Sequence, residues 1–192
     1  MDKAGLIVKR GNLVDATIIA AAVKRPAYRE GQVSERDPDA GFTIKHGKTY
    51  FGYKAHLSVD EESGIVRQAE MSSADLHDSQ KGEDLIQGDE KAYFADKAYD
   101  SAALRKTLKD KGIDDQIAYK ARRGKPLVDW QKSFNRCASG IRSGVERANA
   151  TMKRWYGMAR VRYLGQKRNH CQLQFVACAM NMKRARVILK AA

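Results

Sequence analysis

The order of apolar and polar runs predicts an α/β domain in which a mixed sheet is flanked by helices. Three observations carry this expectation. Short β-branched or aromatic runs at 11–19, 91–96 and 114–120 alternate with segments in which leucines recur at helical spacing. One pair of runs, TYFGYKAHLSVD and GIVRQAEM, is joined by the turn EESG, and such a hairpin makes the sheet mixed rather than wholly parallel. The length, 192 residues, suits one domain with a real core.

In chain order, GNLVDATII predicts a first strand over about 11–19 with Asp15 near its middle. Residues 24–48 read as a long polar connection broken by Pro26, Pro38, Gly31, Gly41 and Gly47. The hairpin follows from Thr49, and residues 76–88 read as a helix with Asp75 as N-cap and Gly88 past its end. KAYFAD is a short buried-type strand that ends on Asp96. SAALRKTLKDK places Leu104 and Leu108 on one helical face and stops at Gly112, and DDQIAYK is a further strand. After the basic loop ARRGKP, a helix carries Arg142, Glu146, Asn149 and Lys153 on adjoining faces. A last helix runs from about Asn169 to Leu189 with Leu173, Val176 and Met180 inward. This order matches a ribonuclease-H-like core.

The net charge of +13 is unevenly placed. Residues 1–100 hold 14 Lys/Arg against 18 Asp/Glu, and residues 101–192 hold 22 against 5, so the halves carry −4 and +17. Such an excess implies a polyanionic partner, with nucleic acid first and an anionic membrane surface second. No segment approaches the roughly 20 apolar residues of a membrane span, and the N-terminus lacks a signal peptide's apolar region, so a cytoplasmic protein is expected. Cys137, Cys171 and Cys178 have no metal-site or disulfide spacing and read as reduced structural thiols.

Asp15 and Asp96 lie in or at the end of apolar runs, where a carboxylate is costly unless paired or bound to a cation. With Glu146 of R-x3-E-x6-K they would form a triad drawn from two strands and a helix. Such a triad suits a pair of hard divalent cations, which prefer oxygen ligands. Two ions roughly 3.5–4 Å apart can activate a nucleophilic oxygen and stabilise the leaving oxygen of an in-line phosphodiester displacement. Each acid has an ordinary rival reading: an edge-strand or turn carboxylate for Asp15, and for Glu146 a helix ion pair with Arg142 contributing about 0.3–0.5 kcal/mol. His77 and Asp78 read as a capping or structural group, and His56 as a packed histidine. No histidine is expected to bind metal.

The motifs VDAT, DPDA, FGYKAH, ADKAYDS and R-x3-E-x6-K occur in that order, and together they resemble the catalytic domain of bacterial insertion-sequence transposases of the DDE type, closest to the insertion sequence 5 group. The resemblance runs from about Gly11 to about Lys183, leaving 1–10 and 184–192 as terminal extensions of a domain spanning 11–183. It implies a ribonuclease-H-like fold with Asp15, Asp96 and Glu146 as catalytic ligands of Mg²⁺ or Mn²⁺, two ions in all. It implies that Arg142 and Lys153 approach DNA phosphates, and that the chain acts as a homo-oligomer on double-stranded DNA at terminal inverted repeats and target sites. The implied chemistry is hydrolysis at transposon ends, exposing a 3′ hydroxyl, and attack of that hydroxyl on target DNA. Two residues depart from the pattern: Ala98 stands where relatives often have glycine, and Ser139 where many have tyrosine. With 14 residues before Asp15, the chain also reads as a catalytic domain lacking the usual N-terminal recognition region. The alternative function is therefore a non-catalytic DNA-binding remnant or an inhibitor of an intact transposase.

The remaining cations extend the expected DNA surface: Arg122, Arg123 and Lys125 in the loop, and Arg154 beside Lys153. Trp155, Tyr156 and Tyr163 interleave the later basic residues, which suits backbone contact and base stacking. Helical spacing equally allows Trp155 a place in the core.

Overall fold

The structure, a computed structural model, describes residues 1–27 and 33–191. Its strands are β1 (Gly11–Ala20), β2 (Gly41–Lys45), β3 (Lys48–Asp60), β4 (Val66–Ser73), β5 (Ala92–Ala95) and β6 (Asp114–Ile117). Its long helices are α1 (Ala102–Asp110), α2 (Asp129–Trp155) and α3 (Gln166–Ala191). The sheet runs β2-β3-β1-β5-β6, with β4 also paired to β3. Pairing is antiparallel between β1 and β3 and parallel from β1 to β5 and β5 to β6, so the expected mixed α/β sheet forms.

Alternation along β1 sorts its side chains between two cores. Leu13 and Ile19 join Val145, Met152 and Leu173 under α2 and α3, whereas Val14 joins Tyr93, Leu104 and Leu108 on the α1 side. Asp15 shares the parity of Leu13 and so faces α2. In β5, Phe94 belongs to the α2 side and Tyr93 and Ala95 to the other, which gives Asp96 the α2 side as well. Helix α2 lies close against β1 because Gly144 has no side chain: a Cβ there would meet Leu13 Cδ1 at 2.6 Å. Helix α3 buries Leu173 completely and packs Val176 and Met180 against the same core.

Two expectations are corrected. Residues 24–48 are not all connection, since β2 pairs with β3 from Gly41↔Gly52 to Lys45↔Lys48. The turn is the two-residue His46-Gly47, with φ of 51° and 72°, the left-handed geometry that favours tight hairpins. Residues 28–32 of that segment lie outside the described residues. Residues 76–88 form no continuous helix, only 3₁₀ turns at Asp78–Lys81 and Glu83–Leu85. The first turn is capped by His77, whose side chain accepts from Ser79 N, rather than by Asp75. Gly82 holds the break: a Cβ there would meet Leu104 Cδ2 at 2.7 Å, and its carbonyl accepts from Tyr93 Oη at 2.9 Å.

Candidate active site

The parallel register of β1 and β5 ends at Val14↔Ala95, and the next residue on each strand is an aspartate. Asp15, still within β1 and paired with Leu57 of β3, and Asp96, the first residue past β5, therefore stand side by side on strands that lie about 4.8 Å apart, and both face α2. Asp96 directly follows β5 and caps the 3₁₀ turn Lys97–Tyr99, its Oδ1 accepting from Lys97 N at 2.7 Å. Ala98 fits this turn without strain, because among the described residues only Lys9 and His46 combine a side chain with positive φ.

Tyr99 anchors the turn from below. Its hydroxyl lies 3.1 Å from His56 Nδ1, and His56 Nε2 lies 2.8 Å from Ser72 Oγ. Ser72 Oγ donates to Ser73 O at 3.1 Å, so it accepts from His56 Nε2–H, and the Tyr99 hydroxyl donates to the bare Nδ1. Burial holds this imidazole neutral, lowering it to about 4. His56 is a packed, satisfied histidine.

Above the sheet, Arg142 of α2 is buried and bridges two acids. Its Nη1 lies 3.3 Å from Asp96 Oδ1 and its Nη2 lies 3.8 Å from Glu146 Oε1. Asn149 is also buried and donates from Nδ2 to Asp15 Oδ2 at 3.1 Å, while its own Oδ1 is a buried acceptor with no partner. Burial raises Asp15 to about 6, with Asp96 adding to the rise and Arg142, the Ala16 backbone and Lys45 opposing it. Lys153 is half-buried and shifted down, first by burial and then by Lys45, while Asp15 pulls it up. The arrangement thus joins Asp15, Asp96, Arg142, Glu146, Asn149, Lys45 and Lys153 in one electrostatic neighbourhood.

Lys45 and Asn149 are the members that sequence reasoning passed over as site residues. Lys45 enters through β2, and the signal for that strand was present in GFTIK followed by the His-Gly turn. Asn149 was visible one turn from Glu146, but only the fold supplies its carboxylate partner.

Arg122, Arg123 and Lys125 lie apart from this group, exposed on a tight turn closed by Arg122 N to Lys125 O at 3.1 Å and the reciprocal bond at 2.9 Å. Arg154 is exposed at the end of α2. Trp155 is 71% exposed, so the core role open to it is not taken. The three cysteines are free and exposed rather than packed in the core. Ser139 lines a cleft of about 210 Å³ beside Asp96 and Arg142, leaving open space where a larger side chain would project.

The donor set fits a divalent cation in kind: carboxylate oxygens, one of them in a half-buried setting that opposes its charge. In the arrangement described, however, no group of three His, Cys, Asp or Glu among the described residues is close enough to hold a metal ion. The Arg142 guanidinium stands against Asp96 and Glu146 instead, supplying the positive charge there.

A mixed sheet with one aspartate inside its central strand and a second just past the neighbouring parallel strand, beneath a glutamate-bearing helix, defines a domain of the ribonuclease-H-like class. The family model described as "Transposase DDE domain" matches residues 8–182, and the chain belongs to that family. Transposases act on DNA, and DDE domains generally use divalent metal ions. No described helix is long and apolar enough to cross a membrane.

Proposed function

We propose that this chain is a metal-dependent DNA strand transferase of the insertion sequence 5 group, in which residues 11–183 form the catalytic domain and Asp15, Asp96 and Glu146 hold Mg²⁺ or Mn²⁺. The observation that carries the reading is the adjacency of Asp15 and Asp96, one residue past Val14↔Ala95, with Glu146 tied to the same site through Arg142. Divalent ions bound there would activate a nucleophilic oxygen and stabilise the leaving oxygen.

The chain's own residues have distinct tasks. Asp15 and Asp96 form the first part of the cation site, Asn149 fixes the Asp15 carboxylate, and the Tyr99–His56 pair fixes the turn behind Asp96. Glu146 completes the site when Arg142 releases it. Arg142 keeps the acids neutralised in the absence of cation, and on release it and Lys153 face phosphate. Arg122, Arg123, Lys125 and Arg154 bind the duplex backbone outside the site.

In the first reaction, water attacks the phosphodiester at a transposon end. A phosphorus–oxygen bond forms as the bond to the 3′ oxygen breaks, and that oxygen leaves as a 3′ hydroxyl after gaining a proton. In the second, this hydroxyl loses its proton and attacks a target phosphodiester, whose own 3′ oxygen leaves. The bonds are exchanged one for one, with no covalent protein intermediate. A homo-oligomer on the two inverted repeats would bring both ends to one target, within the bacterial cytoplasm and its nucleoid.

A linear duplex carrying the inverted repeats, incubated with protein and Mg²⁺ or Mn²⁺, tests the reading. Wild type should nick it, and Asp96→Asn should lose roughly a thousand-fold or more, because several kcal/mol of charge stabilisation would disappear. The variant should melt as wild type does. Undiminished nicking by Asp96→Asn would sink the assignment. A folded wild type that binds the ends and never cuts them would instead favour the remnant or inhibitor.

A further inference from the structure

A second cleft, of about 470 Å³, opens between the end of α2, the loop 157–165 and the outer face of α3. Three aromatic side chains line it, Tyr156, Tyr163 and Phe175, together with Arg162 and Arg168 and no carboxylate. Phe175 is 71% exposed and Tyr163 47%. Large apolar groups scattered singly on a surface need no explanation, but three rings around one concavity with two guanidinium groups are not scatter.

The frame that presents these rings is tightly held. Asn169 is fully buried, donates from Nδ2 to Tyr163 O at 2.8 Å and Gly165 O at 2.9 Å, and accepts from Tyr163 N at 3.1 Å. Asp37 Oδ1, itself bonded to the buried Tyr53 hydroxyl at 2.6 Å, accepts from Gly165 N at 3.1 Å. The loop also joins the end of β1, through Val161 N to Ala20 O at 2.9 Å and Ala20 N to Ala159 O at 3.0 Å. The backbone is fixed while the side chains of Arg162 and Tyr163 stay open to solvent, so the cleft is organised before any ligand arrives. None of its lining residues belongs to the candidate active site.

A matching ligand is anionic and offers flat apolar faces. A duplex offers the anion but covers its base faces by stacking, whereas unpaired DNA offers both. An acidic peptide would satisfy the arginines and leave the rings without flat partners. We propose that this cleft binds unpaired DNA, with bases stacked on Tyr163 and Phe175 and phosphates against Arg162 and Arg168. The proposal rests on the reading of the chain as acting on DNA.

The test is fluorescence anisotropy of a labelled oligothymidine of about 15 nucleotides, titrated with the full chain without divalent cation over a series of KCl concentrations, alongside a blunt duplex. Tyr163→Ala and Phe175→Ala should each weaken oligothymidine binding by about 5- to 100-fold with an unchanged salt slope and unchanged duplex binding. Arg162→Ala and Arg168→Ala should each lower the salt slope by about 0.7. Melting curves matching wild type would show that the variants are folded, as expected for exposed side chains. If both ring variants bind oligothymidine like wild type while duplex binding is intact, the cleft is not a site for unpaired DNA and the DNA reading stands. If wild type binds neither DNA, the underlying reading fails instead. Binding of a labelled polyglutamate peptide that depends on Tyr163 and Phe175, with oligothymidine binding indifferent to them, would assign the cleft to a protein partner and overturn the proposal.

Discussion

In residues 1–100, carboxylates are bound up with their own surroundings. Asp60 accepts from Lys9 N at 2.9 Å and Ser63 Oγ at 2.7 Å, Asp78 pairs with Lys54 at 2.9 Å, and Asp89 pairs with Lys9 and Arg67. In residues 101–192, cations outnumber acids 22 to 5, and among the described residues most of them form no ion pair. Among the described residues, Arg122, Arg123, Lys125 and Arg154 form no ion pair, whereas Arg105 and Arg142 do. The first half uses charge to hold a sheet, and the second holds charge out to solvent. The candidate site lies where the halves meet, with Asp15 and Asp96 from one and Arg142, Glu146 and Asn149 from the other.

This contrast can be broken on its basic side first. Replacing Arg122, Arg123, Lys125 and Arg154 together by alanine should flatten the dependence of log affinity on log salt by about 0.9 per lost phosphate contact and weaken duplex binding on the order of a hundred-fold at moderate salt. Stability should stay within about 0.5 kcal/mol of wild type, as is usual for surface substitutions. A filter-binding salt series and a melting curve check both. Loss of stability without loss of affinity would mean that these cations are structural after all.

At the seam, Asn149→Ala removes the donor that fixes Asp15 and should lower metal-dependent cleavage by about 10- to 100-fold, the usual scale for a residue that orients a ligand. Raising the cation concentration should recover part of the loss. An activity equal to wild type would leave Asn149 as packing alone.

On the acidic side, stability depends on pH through two buried groups of opposite sign. His56 has an unfolded value of 6.5 and a folded value lowered to about 4, so the stability tied to its neutral form is present above 6.5 and is lost as pH falls towards 4. Asp15 has the opposite sign: its folded value is raised from 3.8 to about 6, so the folded state gains as pH falls through that window. Around pH 5.5 their opposing slopes nearly cancel. In an Asp15→Asn background the His56 loss stands alone, about 1 kcal/mol between pH 7.5 and 5.5, and urea denaturation at the two values measures it. His56→Gln in the same background should remove most of that change.

Much of this organisation was legible in the residues. The strand that carries Asp15, the short strand that ends on Asp96 and the helix that carries Glu146 follow from local periodicity, which depends on few neighbours. The misread segments depended on contacts made elsewhere. Strand β2 is short and half-buried and exists by pairing with β3, and residues 76–88 break into 3₁₀ turns where Gly82 meets Leu104 and Tyr93. At the site, the carboxylates could be nominated one by one. The Arg142–Glu146 pair was legible too, from its i,i+4 spacing, but the Arg142–Asp96 contact and the Asn149 bond were not, because they depend on how closely α2 lies on the sheet at Gly144.

In the proposed site, a cation shared by Asp15 and Asp96 would offset the charge that burial disfavours on Asp15. The most direct measurement is a titration of wild type and Asp15→Asn with Mn²⁺ at pH 7.5 and at pH 5, followed by calorimetry or paramagnetic resonance. Wild type should bind at pH 7.5, bind at least several-fold more weakly at pH 5 where Asp15 holds a proton, and the variant should bind poorly at both. Equal Mn²⁺ affinity in wild type and Asp15→Asn at pH 7.5 would contradict the account.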